Sequence, residues 1–222
     1  MTPKLDVLPQ AQRELWPQLR ELPSHFVLYG GTAIALHLGH RVSIDFDFFT
    51  DAALDESEKQ KLLNEISWLA GADILQTDRN TLTVSLKRSA PIKISFFGSI
   101  KTGCVSKPNR TNDDVACVAS MHDLFAHKLK VIHDRAEGKD YQDIACMLMH
   151  GQSLAGGLAA KEALFGTAVP SIATLKALAY FDDISEPWRL NENMKTAISD
   201  AIKHLPDRWE QSTIVSRTIS CA

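Results

Sequence analysis

The spacing of apolar and polar residues divides the chain into a first half with strands and helices and a second half that is helical throughout. A brief apolar run at 26–29 ends at Gly30-Gly31, which predicts a buried strand meeting a tight turn, followed by a helix over 32–38. From 44 to 49 apolar residues alternate with acids. This period of two predicts a strand that carries both carboxylates on one face.

The same patterns predict the other elements. In the first half they indicate helices over 8–20 and 54–70 and strands over 73–77, 81–88 and 92–97. In the second half they indicate helices over 121–135, 140–150, 153–165, 171–181 and 190–204. The predicted fold class is therefore α/β (α+β), a mixed sheet of about four or five strands with flanking helices. We expect an α/β domain at 1–118 and a helical C-terminal region at 119–222 packed on it.

Composition narrows the class of protein. The 222 residues are 45% apolar and 23% charged, which is typical of a globular chain and excludes intrinsic disorder. No stretch approaches the roughly 20 apolar residues of a membrane span, and the first residues lack the apolar core of a signal peptide. We therefore expect a cytoplasmic protein without membrane contact. The four cysteines form no CxxC pair, so we expect reduced, mostly buried thiols.

Charge is distributed in two blocks of opposite sign, although the net charge is only −3. Residues 45–58 contain six acids and no base, whereas 79–112 contain seven bases and no acid. The basic block can contact RNA phosphates, for which Lys87, Arg88 and Lys101 are the candidates. The alternative is that both blocks are ordinary solvated faces of strands and loops.

Asp45 and Asp47 are the sharpest candidates for chemistry. On one strand face their carboxylates lie about 7 Å apart and repel unless a cation lies between them. Mg²⁺ meets that need, because it takes carboxylate oxygens from the protein and completes its octahedron with water and phosphate. A solvent-facing strand with polar alternation explains the same pattern without a metal.

The glycine turn upstream strengthens the metal interpretation. A strand that runs into Gly30-Gly31-Thr32 and then a helix offers backbone N–H groups and a favourable dipole to a phosphate. Thirteen residues separate Gly31 from Asp45, which is enough for the helix and a return to the sheet. Together, the glycine turn and the Asp-x-Asp strand resemble the hG[GS]…Dh[DE]h signature of the nucleotidyltransferase superfamily with the polymerase-β-type fold.

Over about residues 26–148 the resemblance narrows to the AbiEii/AbiGii-type toxin nucleotidyltransferases. Four ordered motifs carry it: Gly30-Gly31-Thr32-Ala33-x-Ala35-Leu36, Gly39-His40-Arg41-x-Ser43-x-Asp45-Phe46-Asp47-Phe48-Phe49, Asp123-Leu124-x-x-x-Lys128-Leu129 and Lys139-Asp140-Tyr141-x-Asp143-Ile144. The resemblance implies Mg²⁺-dependent transfer of a nucleotidyl group from an NTP, with a tRNA 3′ end as acceptor in some relatives, and a possible cognate antitoxin as partner. It also implies nucleotide binding at Gly30, Gly31, Thr32, Ser43 and Lys128, and catalysis by Asp45, Asp47, Lys128 and Asp143.

Lys128 and Asp143 are also conspicuous without the resemblance. Lys128 shares the inward stripe of its helix, where it either faces a triphosphate or extends along the edge of the core. Asp143 lies on a packing side, where a metal, a lysine such as Lys128 or a substrate hydroxyl has to offset the cost of burying a carboxylate. Asp140 is predicted to be the N-cap of its helix.

One departure concerns the third carboxylate of the wider superfamily. The best candidate strand, 91–97, has Ser95 where an acid is expected. We therefore predict a single metal ion, with the hydroxyl-activating role falling to Asp143 or to no residue. Two alternatives stay open: a catalytically silent binding module with this fold, and an enzyme that transfers AMP to a protein hydroxyl.

Overall fold

The structure, a computed structural model, describes residues 1–135, 137–166, 170–181, 184 and 190–221. The chain forms two compact units. The sheet unit comprises residues 1–103, 107–119 and the C-terminal segment from 216. The helical unit comprises residues 104–106 and 120–215.

The sheet unit is built on a mixed seven-stranded sheet. Its strands are β1 Val27–Tyr29, β2 Asp45–Phe49, β3 Asp73–Asp78, β4 Thr81–Leu86, β5 Ile92–Phe97, β6 Asn109–Arg110 and β7 Cys117–Val118. Their spatial order is β3-β4-β5-β2-β1-β7-β6, in which the β2–β5 and β1–β7 pairs are parallel and the other pairs antiparallel. The expected class is confirmed, but β6 and β7 were not predicted because two residues are too short to show an alternation.

The two faces of β2 and β5 differ in polarity. Phe46, Phe48, Ile94 and Phe96 are fully buried on one face and form part of the core. Phe96 packs edge to face on Phe26 at a centroid distance of 5.3 Å, which extends this apolar face towards β1. The opposite face carries Asp45 and Asp47, as the period-two pattern predicts.

The helices of the sheet unit are α1 Gln10–Leu15, α2 Gly30–Leu38 and α3 Glu56–Glu65. The predicted helix over 8–20 is wrong in part, because the chain changes to a 3₁₀ helix over Trp16–Glu21, where Pro17 has no N–H to donate. The predicted helix over 54–70 is also shorter. It begins after Asp55, whose side chain accepts a hydrogen bond from the Glu58 amide, and a separate 3₁₀ turn covers Ser67–Leu69.

The described part of the helical unit contains α4 Met121–Asp134, α5 Gly138–Met149, α6 Leu154–Phe165, α7 Ser171–Leu178 and α8 Glu192–Lys203. α4 and α6 pack closely at Gly157. A Cβ at this position would lie 2.5 Å from the Phe125 ring. The Gly157 position therefore serves helix packing, where any side chain would force the two helices apart. No helix among the described residues is long and apolar enough to cross a membrane.

The expectation of four reduced thiols is wrong for one pair of cysteines. Cys117 in β7 is bonded to Cys221 in the C-terminal segment, across 104 residues of sequence. Cys104 and Cys146 are not part of this disulfide and are buried, as expected. The spacing pattern missed the bond because the two partners come together only when the C-terminal segment returns to the sheet unit.

Candidate active site

The glycine turn lies directly against one of the two candidate aspartates. Tyr29, the last residue of β1, is in register with Asp47 on β2, and Gly30 follows with a φ of +71°. A Cβ on Gly30 would lie 2.8 Å from Asp47 Oδ2. Gly30 is therefore needed both for its left-handed backbone and for the close approach of the Asp47 carboxylate.

Thr32 and Ser43 fasten the start of α2 to the start of β2. Both side chains are buried, and their hydroxyls lie 2.8 Å apart. The Thr32 hydroxyl also donates a hydrogen bond to the main-chain carbonyl of Asp45. These contacts place the N-terminus of α2 beside the aspartate strand, and they occupy both hydroxyls within the protein.

A polar row crosses the sheet at the level of Asp47. Ser95 on β5 is in register with Asp47, and Thr83 on β4 is in register with Ser95. The Thr83 hydroxyl donates to Ser95 Oγ at 3.3 Å, and both residues are buried. The strand position next to Asp47 therefore holds a paired hydroxyl, which carries no charge to offset a second divalent cation.

A second polar row crosses the sheet at the level of Asp45. Lys93 on β5 is in register with Asp45, and Ser85 on β4 is in register with Lys93. Lys93 is exposed. Sequence reasoning did not assign Lys93 to the site, although two signals were available: its place in the basic block, and its spacing of two residues from Ser95, which puts both side chains on the same face of the strand.

Asp45 and Asp47 fit a hard divalent cation. Both are partly exposed and present oxygen ligands on one face of β2, and Gly30 has no Cβ that would press on the Asp47 carboxylate. No group of three or more His, Cys, Asp or Glu side chains in the described chain is arranged to hold a metal. The two carboxylates therefore suit an ion whose remaining ligands come from phosphate and water.

The motif residues of the helical unit form a buried ionic cluster. Lys128 Nζ on α4 lies 2.5 Å from Asp140 Oδ1 and 2.8 Å from Asp143 Oδ2, both on α5. Arg135 Nε lies 3.1 Å from Asp140 Oδ2. Both aspartate side chains are fully buried, whereas Arg135 is about half exposed. Lys128 is thus the lysine that offsets the burial of Asp143, one of the three solutions left open by the sequence.

Two acids of these motifs differ in their roles. The prediction that Asp140 is an N-cap is wrong: α5 begins two residues earlier, after Glu137, and the Asp140 carboxylate binds Lys128 and Arg135 instead. The cap of α4 is Ser120, whose hydroxyl accepts a hydrogen bond from the Asp123 amide. The Asp123 carboxylate accepts hydrogen bonds from the Val105 and Ser106 amides, and burial raises the pKa of Asp123.

The three candidate RNA-binding residues do not form one cluster. Leu86 pairs with Ile92, so Lys87 and Arg88 lie in the β4–β5 hairpin, at the Asp45 end of the sheet. Lys101 follows the opposite end of β5. It comes directly after Ile100, whose amide donates a hydrogen bond to the Thr50 carbonyl. Lys87 Nζ also lies 3.0 Å from Asp73 in an exposed ion pair.

Comparison with known proteins agrees with the motifs. The family model described as "Nucleotidyl transferase AbiEii toxin, Type IV TA system" matches residues 17–216. An uncharacterized protein of Aquifex aeolicus (strain VF5), aq_aa25, is 30% identical over 187 residues, which cover 81% of this chain and 85% of that protein.

Solved structures share the fold at low sequence identity. MenT4, a nucleotidyltransferase toxin from Mycobacterium tuberculosis H37Rv, superimposes with a TM-score of 0.62 at 13% identity, over 89% of this chain and 83% of its own. A candidate nucleotidyltransferase from H. pylori gives 0.55 at 16% identity, over 87% and 92%. The match to the family model covers most of the chain, and the chain therefore belongs to the AbiEii family of nucleotidyl transferase toxins of type IV toxin–antitoxin systems.

Proposed function

We propose that this protein transfers a nucleoside monophosphate from an NTP to a hydroxyl of an RNA acceptor, with Mg²⁺ held by Asp45 and Asp47. The observation that carries the proposal is the approach of the Gly30 backbone to the Asp47 carboxylate. A phosphate-binding helix N-terminus and two cation ligands then share one small region of the sheet unit.

In the proposed reaction, an acceptor hydroxyl forms a bond to the α-phosphorus while the bond between the α-phosphorus and the bridging oxygen breaks. Pyrophosphate leaves, and the hydroxyl proton passes to a base or to solvent. The Gly30, Gly31 and Thr32 amides bind the phosphates, while Thr32 and Ser43 hold that turn in position through their shared hydrogen bond. A bound Mg²⁺ would supply charge compensation for the triphosphate.

Lys128 and Asp143 keep their proposed catalytic roles. Lys128 would bind phosphate and Asp143 would accept or orient the acceptor hydroxyl, as the motif resemblance implies. Their close ion pair supports a functional role for the cluster. Burying two charges costs desolvation free energy that an apolar pair would not cost, so stability alone does not account for the charges. The pair also explains how both side chains are stable without a substrate.

The family membership supports two further proposals, a cognate antitoxin as partner and a cytoplasmic site of action. The main competitor to the proposed reaction is a silent binding module. The Ser95–Thr83 hydroxyl pair favours it, because a third carboxylate is absent from the strand position next to Asp47. An enzyme that transfers AMP to a protein hydroxyl is the other alternative.

Incubation of the purified protein with each labelled NTP, Mg²⁺ and total RNA tests the proposal. We expect label in RNA. The labelling rate should fall by at least about 100-fold in Asp45→Asn and in Asp47→Asn, because removing a group that only supports a metal ligand already lowers metal affinity or activity by about 10- to 100-fold. Asp51→Asn, an acid of the same block beyond β2, is the matched control and should retain activity. Label in protein alone would select AMP transfer to protein, and absence of any label would select the silent module.

A further inference from the structure

The aspartate strand β2 lies between two flanks of different chemistry. On one side is β1, which ends in the glycine turn against Asp47. On the other side is β5, which brings Lys93 beside Asp45. The strand order therefore places the two aspartates between the uncharged backbone of the glycine turn on one side and the cationic side chain of Lys93 on the other.

The cationic flank continues beyond Lys93. The hairpin that joins β4 to β5 carries Lys87 and Arg88 at the same end of the sheet as Asp45. Lys93 is exposed and has no ion-pair partner within the described residues, and Lys87 is bound only through an exposed pair with Asp73. Exposed ion pairs are weak, so a polyanion can displace this one at little cost.

Nucleotidyl transfer gives the two flanks different tasks. In an in-line displacement, the attacking hydroxyl and the leaving pyrophosphate lie on opposite sides of the α-phosphorus. If the glycine turn holds the triphosphate, the acceptor arrives from the other flank of β2. That flank is β5 with the basic hairpin.

We propose that Lys93, Arg88 and Lys87, here called the hairpin cations, hold backbone phosphates of the RNA acceptor next to the aspartates. This inference rests on the proposed function and names the acceptor side of that site. A nucleic acid offers a series of negative charges to such a series of cations, which a protein hydroxyl does not. Lys101 is not a member, since it follows the opposite end of β5.

The test compares two triple variants with the same loss of charge. Lys87→Ala/Arg88→Ala/Lys93→Ala removes the hairpin cations, and Arg13→Ala/Arg20→Ala/Lys61→Ala removes three exposed bases of the sheet unit that lie outside the basic block 79–112. Binding of end-labelled tRNA is measured over a series of salt concentrations. We expect the log–log salt slope to fall by about 2 in the first variant, at about 0.7 per lost single-strand contact, and to stay unchanged in the second.

NTP binding, measured separately by calorimetry, should be the same in both variants and in the wild type. If the hairpin variant fails to fold, Lys93→Ala alone, with an expected slope change of about 0.7, replaces it. Equal salt slopes for the two triple variants would overturn the hairpin contact. If the wild type still labels RNA in that case, the proposed function stays intact. A wild type that binds NTP but neither binds nor labels RNA would overturn both, and label in protein would point to the other acceptor.

Discussion

Ser95 lies next to Asp47 on the adjacent parallel strand, in register, with its hydroxyl bonded to that of Thr83. An acid at this position would stand beside the Asp47 carboxylate on the same face of the sheet. Because Ser95 is buried, the charge balance of the site depends strongly on which side chain it is.

Ser95→Asp should therefore make the stability of the protein depend on a divalent cation. Without Mg²⁺ we expect a loss of about 2 kcal/mol, or roughly 4–8 °C in melting temperature, from an additional buried like charge. Added Mg²⁺ should restore more of this loss than it contributes to the wild type. Ser85→Asp is the matched control, because it adds the same charge on the same face beside Lys93 instead of Asp47. Identical Mg²⁺ responses in the two variants would contradict the placement of the metal ligands.

Gly30→Ala should separate backbone strain from crowding of the carboxylate. Gly30 and Gly71 both have positive φ, at +71° and +74°, so alanine at either position should cost about 1–2 kcal/mol of unfolding free energy. Only at Gly30 would the new Cβ contact Asp47, whereas nothing lies within 4 Å of it at Gly71. We expect nucleotidyl transfer to fall in Gly30→Ala and to persist in Gly71→Ala. Urea denaturation and the labelling assay provide the two measurements, and full activity in both variants would rule out the assigned crowding.

The ionic cluster of the helical unit predicts an order of stabilities. Lys128→Met removes the cation that contacts both Asp140 and Asp143, so we expect a loss of about 3–5 kcal/mol. Asp143→Asn leaves Lys128 paired with Asp140 and should cost less, about 1–3 kcal/mol. Chemical denaturation of each variant gives these values. The reverse order would show that Lys128 contributes less to the fold than its contacts indicate.

Turnover distinguishes catalysis from stability in the same variants. If Asp143 handles the acceptor, Asp143→Asn lowers kcat under conditions where the protein stays folded, while NTP binding is nearly unchanged. Lys128→Met should instead raise the NTP concentration needed for half-maximal rate. A folded Asp143→Asn variant with normal kcat would assign Asp143 to the fold alone.

His127 should make the protein less stable in mild acid. Burial lowers its pKa from 6.5 to about 4, so between these values the unfolded chain binds a proton that the folded protein does not. Stability is therefore fully present above pH 6.5 and falls as the pH decreases towards 4, by up to about 3 kcal/mol. His127→Gln should flatten this dependence. Burial also lowers the pKa values of His25 and His37, and these two residues contribute equally to the pH dependence of stability in the wild type and in His127→Gln. The difference in pH dependence between the wild type and the variant therefore measures the contribution of His127.

Much of the local structure could be predicted from the sequence because it depends on neighbours in the chain. The alternation in 44–49 correctly placed both carboxylates of β2 on one face, and the glycine turn correctly marked the junction of β1 and α2. Thirteen intervening residues were enough to predict that turn and strand lie near each other, since consecutive elements joined by short connections are usually adjacent in space. The family motifs then indicated the class of reaction.

Only the tertiary structure decided which distant groups meet. The strand order placed Ser95 and Lys93 beside the two aspartates. It also separated Lys101 from Lys87 and Arg88. No local sequence pattern indicates that strand order. The contacts of Lys128 with α5 likewise depend on the packing of two helices. Because of that packing, Asp140 forms an ion pair with Lys128, whereas the sequence predicted a helix cap. The Cys117–Cys221 bond spans 104 residues for the same reason. Periodicity reports the face on which a residue lies, whereas its charge and hydrogen-bond partners depend on what the fold places opposite that face.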